Sequence, residues 1–173
     1  NRIKEKAKSG AHPPGEFVSL EHYLHDLRLF KSAAELKLME KAAEISAAAH
    51  VRAMKTCKPG LWEYQIEAEL NHSFAMAGAR FPAYNAIVGA GRNGCILHYS
   101  ANNAQLKDGD LLLIDAACEY QNYAADITRT FPINGRFSSR QADLYDIVLA
   151  ANLAGIEAVQ PGHNWNQPHV AAV

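Results

Sequence analysis

Apolar residues recur at three- and four-residue steps through Leu36, Met39, Ala43, Ala47 and Val51, and Lys58-Pro59-Gly60 interrupts them. Ser32 and Glu35 stand at the head of this run in the spacing of a capping box, so a long helix is predicted from there. A second helix is predicted from about Trp62 to Met76, carrying Tyr64, Ile66, Leu70 and Phe74, with Gly78 suited to the position just past its end. Val18 to Leu29 reads as a shorter amphipathic stretch before both, and the alanines of the first long helix favour close packing. From Arg80 the pattern becomes strand-like: Tyr84 to Val88, a glycine-bounded turn over Gly89–Gly94, then Cys95 to Tyr99. The turn Lys107-Asp-Gly-Asp110 launches a hairpin that ends at Phe131-Pro132. Ser138 and Gln141 form a second capping box for a helix from about Ser139 to Val159, which Pro161-Gly162 ends. The segment Trp165–Val173 reads as the first turn of a further helix. Helices, then strands, then a helix predict an α+β fold, with helices covering one face of an antiparallel sheet.

The hairpin Leu111-Leu-Leu-Ile-Asp115-Ala-Ala-Cys-Glu-Tyr120-Gln-Asn-Tyr-Ala-Ala-Asp126-Ile-Thr-Arg-Thr-Phe131 carries the chemistry. Its two aspartates stand where a strand would ordinarily place Val or Leu. A buried carboxylate needs an ion pair, hydrogen bonds or a metal. No Lys or Arg alternates with these two so as to pair both, and a cation held between them is the economical explanation. If the hairpin turns at Gln121-Asn122, Tyr120 faces Tyr123 and Asp115 lies opposite Thr128. Asp126 is then a diagonal neighbour of Asp115 on the same face, roughly 7–8 Å away between Cα atoms. A turn at Tyr120-Gln121 would set the aspartates directly opposite, and a three-residue loop would send them to opposite faces. The plainer alternative is that the aspartates cap turns or bind backbone amides.

The sequence has 173 residues, 49% of them apolar and 20% charged, with a net charge of −1, which describes one ordinary domain with a real core. Near-zero charge gives no pull toward nucleic acid or an anionic membrane. Arg2, Lys4, Lys6 and Lys8 are the one basic cluster and read as a solvated end. Cys57, Cys95 and Cys118 are scattered without Cys-x-x-Cys spacing, so neither a disulfide framework nor a zinc site is expected, and a reducing cytoplasm is the default. No apolar run is long enough to span a membrane and no secretory signal is visible. Gly10–Gly15, with Pro13 and Pro14, cannot propagate helix or sheet and reads as a linker. The absence of an initial Met leads us to expect a cut or truncated product.

The strings Gly94-Cys-Ile-Leu-His98-Tyr99, Asp110–Tyr120 and Tyr123-Ala-Ala-Asp126-Ile-Thr-Arg-Thr-Phe-Pro closely resemble the bacterial Xaa-Pro aminopeptidases (aminopeptidase P) of the pita-bread metallopeptidase superfamily. Phe30-Lys-Ser32, Lys58-Pro-Gly60, Tyr84-Asn85-Ala-Ile-Val-Gly89 and Tyr145-Asp146-Ile-Val148 match as well, and the likeness runs over roughly residues 26 to 173. It implies a proline-specific aminopeptidase with two divalent ions, usually manganese, and a metal-bridging hydroxide that attacks the bond before proline. By the same resemblance Asp115 and Asp126 would be metal ligands, the second bridging both ions. His98 would be the substrate-side histidine that steadies the tetrahedral intermediate, Tyr84 a substrate-binding tyrosine near the metals, and Thr128 a hydroxyl behind the ligands that orients Asp126. Xaa-Pro dipeptidase (prolidase) and a non-catalytic peptide-binding module of the same fold are the alternatives.

The family also needs a histidine and two glutamates from later in the domain, and Glu157, His163 and His169 do not stand where those ligands would. The expected layout is therefore residues 1–29 as linker and end of a preceding domain, and 30–173 as the N-terminal half of the pita-bread domain. The expectation is a chain inactive alone, a homo-oligomer through its exposed core surface, acting in its complete form on peptides with proline second.

Overall fold

The structure is a computed structural model that describes residues 17–173, so the basic cluster Arg2–Lys8 and the Gly10–Gly15 break lie outside the described residues. The chain divides into two compact units, one ending at Lys37 and the other running Leu38–Val173. In the first, helix α1 (Glu21–Leu29) buries none of its residues. Helix α2 (Ala33–Thr56) starts in it with the expected capping box: Ser32 N–H donates to Glu35 Oε2 at 2.6 Å and Glu35 N–H to Ser32 Oγ at 3.3 Å.

Within the second unit α2 buries Ala42, Ile45, Ser46, Ala49, His50 and Ala53, a face beside the stripe through Ala43, Ala47 and Val51 whose periodicity marked the helix. Both stripes have helical spacing. The buried one is mostly alanine and serine, which lets the helix approach the sheet closely, and both of its polar members form hydrogen bonds there through one side-chain atom. Ser46 Oγ donates to Ala42 O at 2.8 Å and accepts from Cys118 N at 3.0 Å, while His50 Nε2 meets Ala116 O at 2.8 Å. Helix α3 (Glu63–Met76) buries Ile66, Leu70 and Phe74, leaves Tyr64 exposed, and is followed by Gly78 at φ +90°, the left-handed stop its position predicts. Arg52 on α2 and Glu69 on α3 pair at 2.6 Å.

Six short strands form two antiparallel sheets among the described residues: β1 (Phe81–Pro82), β4 (Cys118–Tyr120) and β5 (Tyr123–Ala124) in one, β2 (Ile87–Ala90), β3 (Leu111–Asp115) and β6 (Thr128–Pro132) in the other. Along β3 the faces alternate: Leu112 and Ile114 are wholly buried in a core with Val88, Ala49, Ala53 and Leu70, whereas Leu111, Leu113 and Asp115 are only half-buried on the other face. That second face carries the chemistry.

The strand expected over Cys95–Tyr99 is instead a 3₁₀ turn (Gly91–Cys95) running into a loop, and β2 extends through Gly89 into the place of the expected turn. The reason is backbone contact: a Cβ on Gly89 would lie 2.8 Å from Gly94 N, so two glycines allow the chain to fold back onto its own strand. Tyr84 likewise precedes β2 rather than belonging to it. Helix α4 (Ser139–Glu157) begins at the predicted box, with Gln141 N–H donating to Ser138 Oγ at 3.3 Å. The short helix α5 (Gln167–Ala172) packs back on it at Gly155, where an added Cβ would meet Pro168 O at 3.5 Å. No described helix is long and apolar enough to cross a membrane.

Candidate metal centre

The hairpin bearing the aspartates turns at Gln121-Asn122, with φ of +49° and +70°, the pair of left-handed residues a two-residue turn of matching twist requires. Tyr120 pairs with Tyr123, and Asp115 pairs with Thr128. Between these pairs Ala116 N donates to Ile127 O at 3.1 Å and Ala125 N to Cys118 O at 3.2 Å, so the register carries through unbroken although the strands fall in two sheets. Of the registers the sequence leaves open, the one that makes the aspartates diagonal neighbours on one face is realised.

The Tyr84 hydroxyl shows that the two carboxylates converge. It lies 2.5 Å from Asp115 Oδ1 and 3.3 Å from Asp126 Oδ1. A phenol has one proton, so the shorter contact is the strong bond and the longer a weak one. Burial, reinforced by the bond to Asp115 and the charges of both aspartates, pushes the Tyr84 phenol far above its ordinary range. Its proton stays on Oη, and Tyr84 acts as a donor.

The aspartates are less enclosed than their apolar neighbours suggested. Asp115 is half-buried and Asp126 exposed, because they project from the sheet face opposite the helices. Neither has a basic partner among the described ion pairs, which are Lys41–Glu44 and Arg52–Glu69. Two anionic oxygen donors brought to one point, with a single neutral donor between them and no ion-pair partner among the described residues, suit a hard divalent cation. The set is short, however: no group of three or more His, Cys, Asp or Glu that could hold an ion exists among the described residues.

The other candidates stand differently. Thr128 lies across from Asp115, and its hydroxyl has no partner among the described residues, so it is not seen to orient Asp126. His98 is exposed in the loop after the 3₁₀ turn, at φ +56°, with its ring free of hydrogen bonds among the described residues. The structure thus joins Asp115, Asp126 and Tyr84, and shows no contact from His98 to them.

Two buried polar residues near these elements bear no mark in the sequence. His50 sits behind the hairpin, bonded to the carbonyl next to Asp115, with Nδ1 buried and unpartnered. Burial, partly opposed by the bond to Ala116 O, holds its pKa below the ordinary value. Glu63 is wholly buried, although its place in the first turn of a helix reads equally well as a solvated charge favouring the helix dipole. Only tertiary contacts separate the two readings.

The model of metallopeptidase family M24 matches residues 37–173. The chain is 48% identical over 166 residues to the Xaa-Pro aminopeptidase of Escherichia coli K12, which covers 94% of the chain and 38% of that relative. Among solved structures it superposes on Pseudomonas aeruginosa aminopeptidase PepP with a TM-score of 0.91 at 58% identity, covering 99% of the chain and 39% of that protein. It also superposes on zinc-substituted E. coli aminopeptidase P in complex with product, with a TM-score of 0.85 at 46% identity over 93% of the chain and 37% of that protein. The chain thus spans well under half the length of the relatives it matches.

Proposed function

The chain belongs to metallopeptidase family M24, with the pita-bread fold of its structural neighbours, and on that footing we propose that it carries part of the active site of a proline-specific Xaa-Pro aminopeptidase. The carrying observation is the convergence of Asp115 and Asp126 on the Tyr84 hydroxyl. On this reading residues 30–173 are the N-terminal half of the pita-bread domain and residues 1–29 its approach. The complete cytoplasmic protein releases the N-terminal residue from peptides with proline second.

Asp115 and Asp126 would hold two divalent ions, manganese by preference, whose chemistry is to make bound water acidic and polarise the scissile carbonyl. Tyr84 keeps its proton, fixes the Asp115 carboxylate and lines the substrate side. His98, exposed and unengaged, supplies a hydrogen bond to the reacting group. Thr128 stands beside the pair as a neighbouring hydroxyl. Since each such ion takes about six ligands and the described residues offer no larger cluster, the remaining ligands come from elsewhere in a longer protein. The 173-residue chain alone is inactive.

The test is a peptide-release assay with manganese, run on the complete protein and on the 173-residue chain. The complete protein should cleave longer Xaa-Pro peptides, lose about a hundredfold or more in rate on Asp115→Asn, and the short chain should show no turnover. Cleavage of dipeptides alone would make the protein an Xaa-Pro dipeptidase. Peptide binding without hydrolysis, or full activity in the Asp115→Asn variant, would overturn the assignment.

A further inference from the structure

We propose that Glu63 is the positioning residue for His98: its buried carboxylate ties down both ends of the loop that presents the imidazole. Glu63 is 0% exposed at the start of α3. Oε1 accepts from Ala90 N at 2.7 Å and Asn93 Nδ2 at 3.0 Å, and Oε2 accepts from the Tyr99 hydroxyl and from Ala104 N, both at 2.8 Å. An ionised carboxylate has about four lone-pair sites and no proton to donate. Four donors therefore satisfy it without a cation, which is how a charge survives full burial.

All four donors lie on the segment from Ala90 to Ala104, and His98 sits between the second and third. Tyr99 N–H donates to Ile96 O at 3.2 Å, closing a turn with Leu97 and His98 at its centre. His98 occupies the left-handed region at φ +56°, which is uncommon for any residue but glycine although histidine enters it more often than most, and which its surroundings help to hold. Its side chain contributes nothing, and Leu97 is 86% exposed. What holds the turn is the next residue, whose hydroxyl is bonded to Glu63 and accepts from Asn93 Nδ2 at 3.1 Å.

Asn102 fastens the return of the same loop to the outer edge of β2. It accepts from Val88 N at 3.0 Å and donates to Ala86 O at 2.8 Å and Glu67 Oε2 at 2.9 Å. With this strand edge closed by Asn102 and Glu63, the loop is anchored at Ala90, Asn93, Tyr99, Asn102 and Ala104, and the backbone at His98 is set between the anchors before any ion or peptide arrives. The inference rests on His98 facing substrate; the test below reads only the order of the loop and is blind to that assignment.

The experiment is backbone NMR on the 173-residue chain and on its Tyr99→Phe and Glu63→Gln variants. Tyr99→Phe removes one hydroxyl, and Glu63→Gln sets an amide N–H₂ against a donor. In both, the His98 Cα and Cβ shifts should move from left-handed toward unstructured values. The amide at position 99 should exchange at least about tenfold faster, the effect of losing a hydrogen bond to a charged group. The Ile133 amide, bonded to Asp110 O at 3.0 Å and outside the four donors to Glu63, should keep its rate. If Glu63→Gln fails to fold, Tyr99→Phe decides alone. Unchanged His98 shifts in Tyr99→Phe, or equal acceleration at positions 99 and 133, would overturn the proposal.

Discussion

Tyr84 keeps two like charges together. Burial first, and then the bond to Asp115 and the charges of both aspartates, against which a phenolate would be a third negative charge at the same point, hold the hydroxyl's proton far above its usual range. Asp115→Asn removes the strong acceptor and its charge, so a ¹³Cζ titration of Tyr84 should show its pKa falling back toward that of an ordinary phenol; an unmoved titration would separate Tyr84 from the carboxylates. His50 gives a second prediction. Its pKa is lowered in the folded chain, so the unfolded chain binds the extra proton more readily, and its contribution to stability is complete above about pH 6.5 and declines as the pH falls below that. His50→Gln can keep a donor on Ala116 O without titrating, so its denaturation midpoint should drop less between pH 7 and pH 5 than that of the unchanged chain. Parallel midpoints would show that His50 is not the source. At this scale the sequence revealed the aspartates and the Gln121-Asn122 turn as one of the registers it left open, because strand periodicity and an Asn that tolerates positive φ are local properties. The parts played by His50 and Glu63 were not legible, since each depends on what packs around it.

Among elements, the helices were readable and the β2 region was not. Capping boxes at Ser32 and Ser138 and the stop at Gly78 act within a few residues, and the structure forms all three. Ser138→Ala should accordingly lower stability by about 1 kcal/mol in chemical denaturation; no change would mean that α4 is held by other means. The chain from Gly91 to Tyr99 looked like turn and strand because its residues suit both, and contacts with Glu63 and with Gly89 decide otherwise. Gly89→Ala puts a methyl 2.8–2.9 Å from backbone atoms of Asn93 and Gly94, atoms that cannot swing aside. A loss of about 1–3 kcal/mol is expected, and a neutral result would show that the fold-back is looser than described. Which face of α2 packs was not legible from its periodicity, because several of its faces are rich in alanine and only the contacts decide that Ala42, Ala49 and Ala53 are the buried ones.

At the scale of the molecule, α4 forms without burying any of its residues. Ile147, Val148 and Ile156 are 67%, 59% and 60% exposed, apolar side chains on more than one side of the helix and more than a monomeric protein commonly leaves uncovered. The isolated chain should self-associate as concentration rises in sedimentation equilibrium, and Ile147→Glu with Ile156→Glu should weaken the association; a stable monomer at all concentrations would count against it. The fold class was legible from element order, whereas the extent of exposed apolar surface was not, because it depends on which faces find a partner. The account depends most on the claim that Asp115 and Asp126 are one part of a metal cradle that this chain does not complete. Calorimetric titration of the 173-residue chain with manganese tests it most directly. Weak binding that disappears in both Asp115→Asn and Asp126→Asn is predicted, and tight uptake of two ions per chain, or binding indifferent to those substitutions, would contradict it.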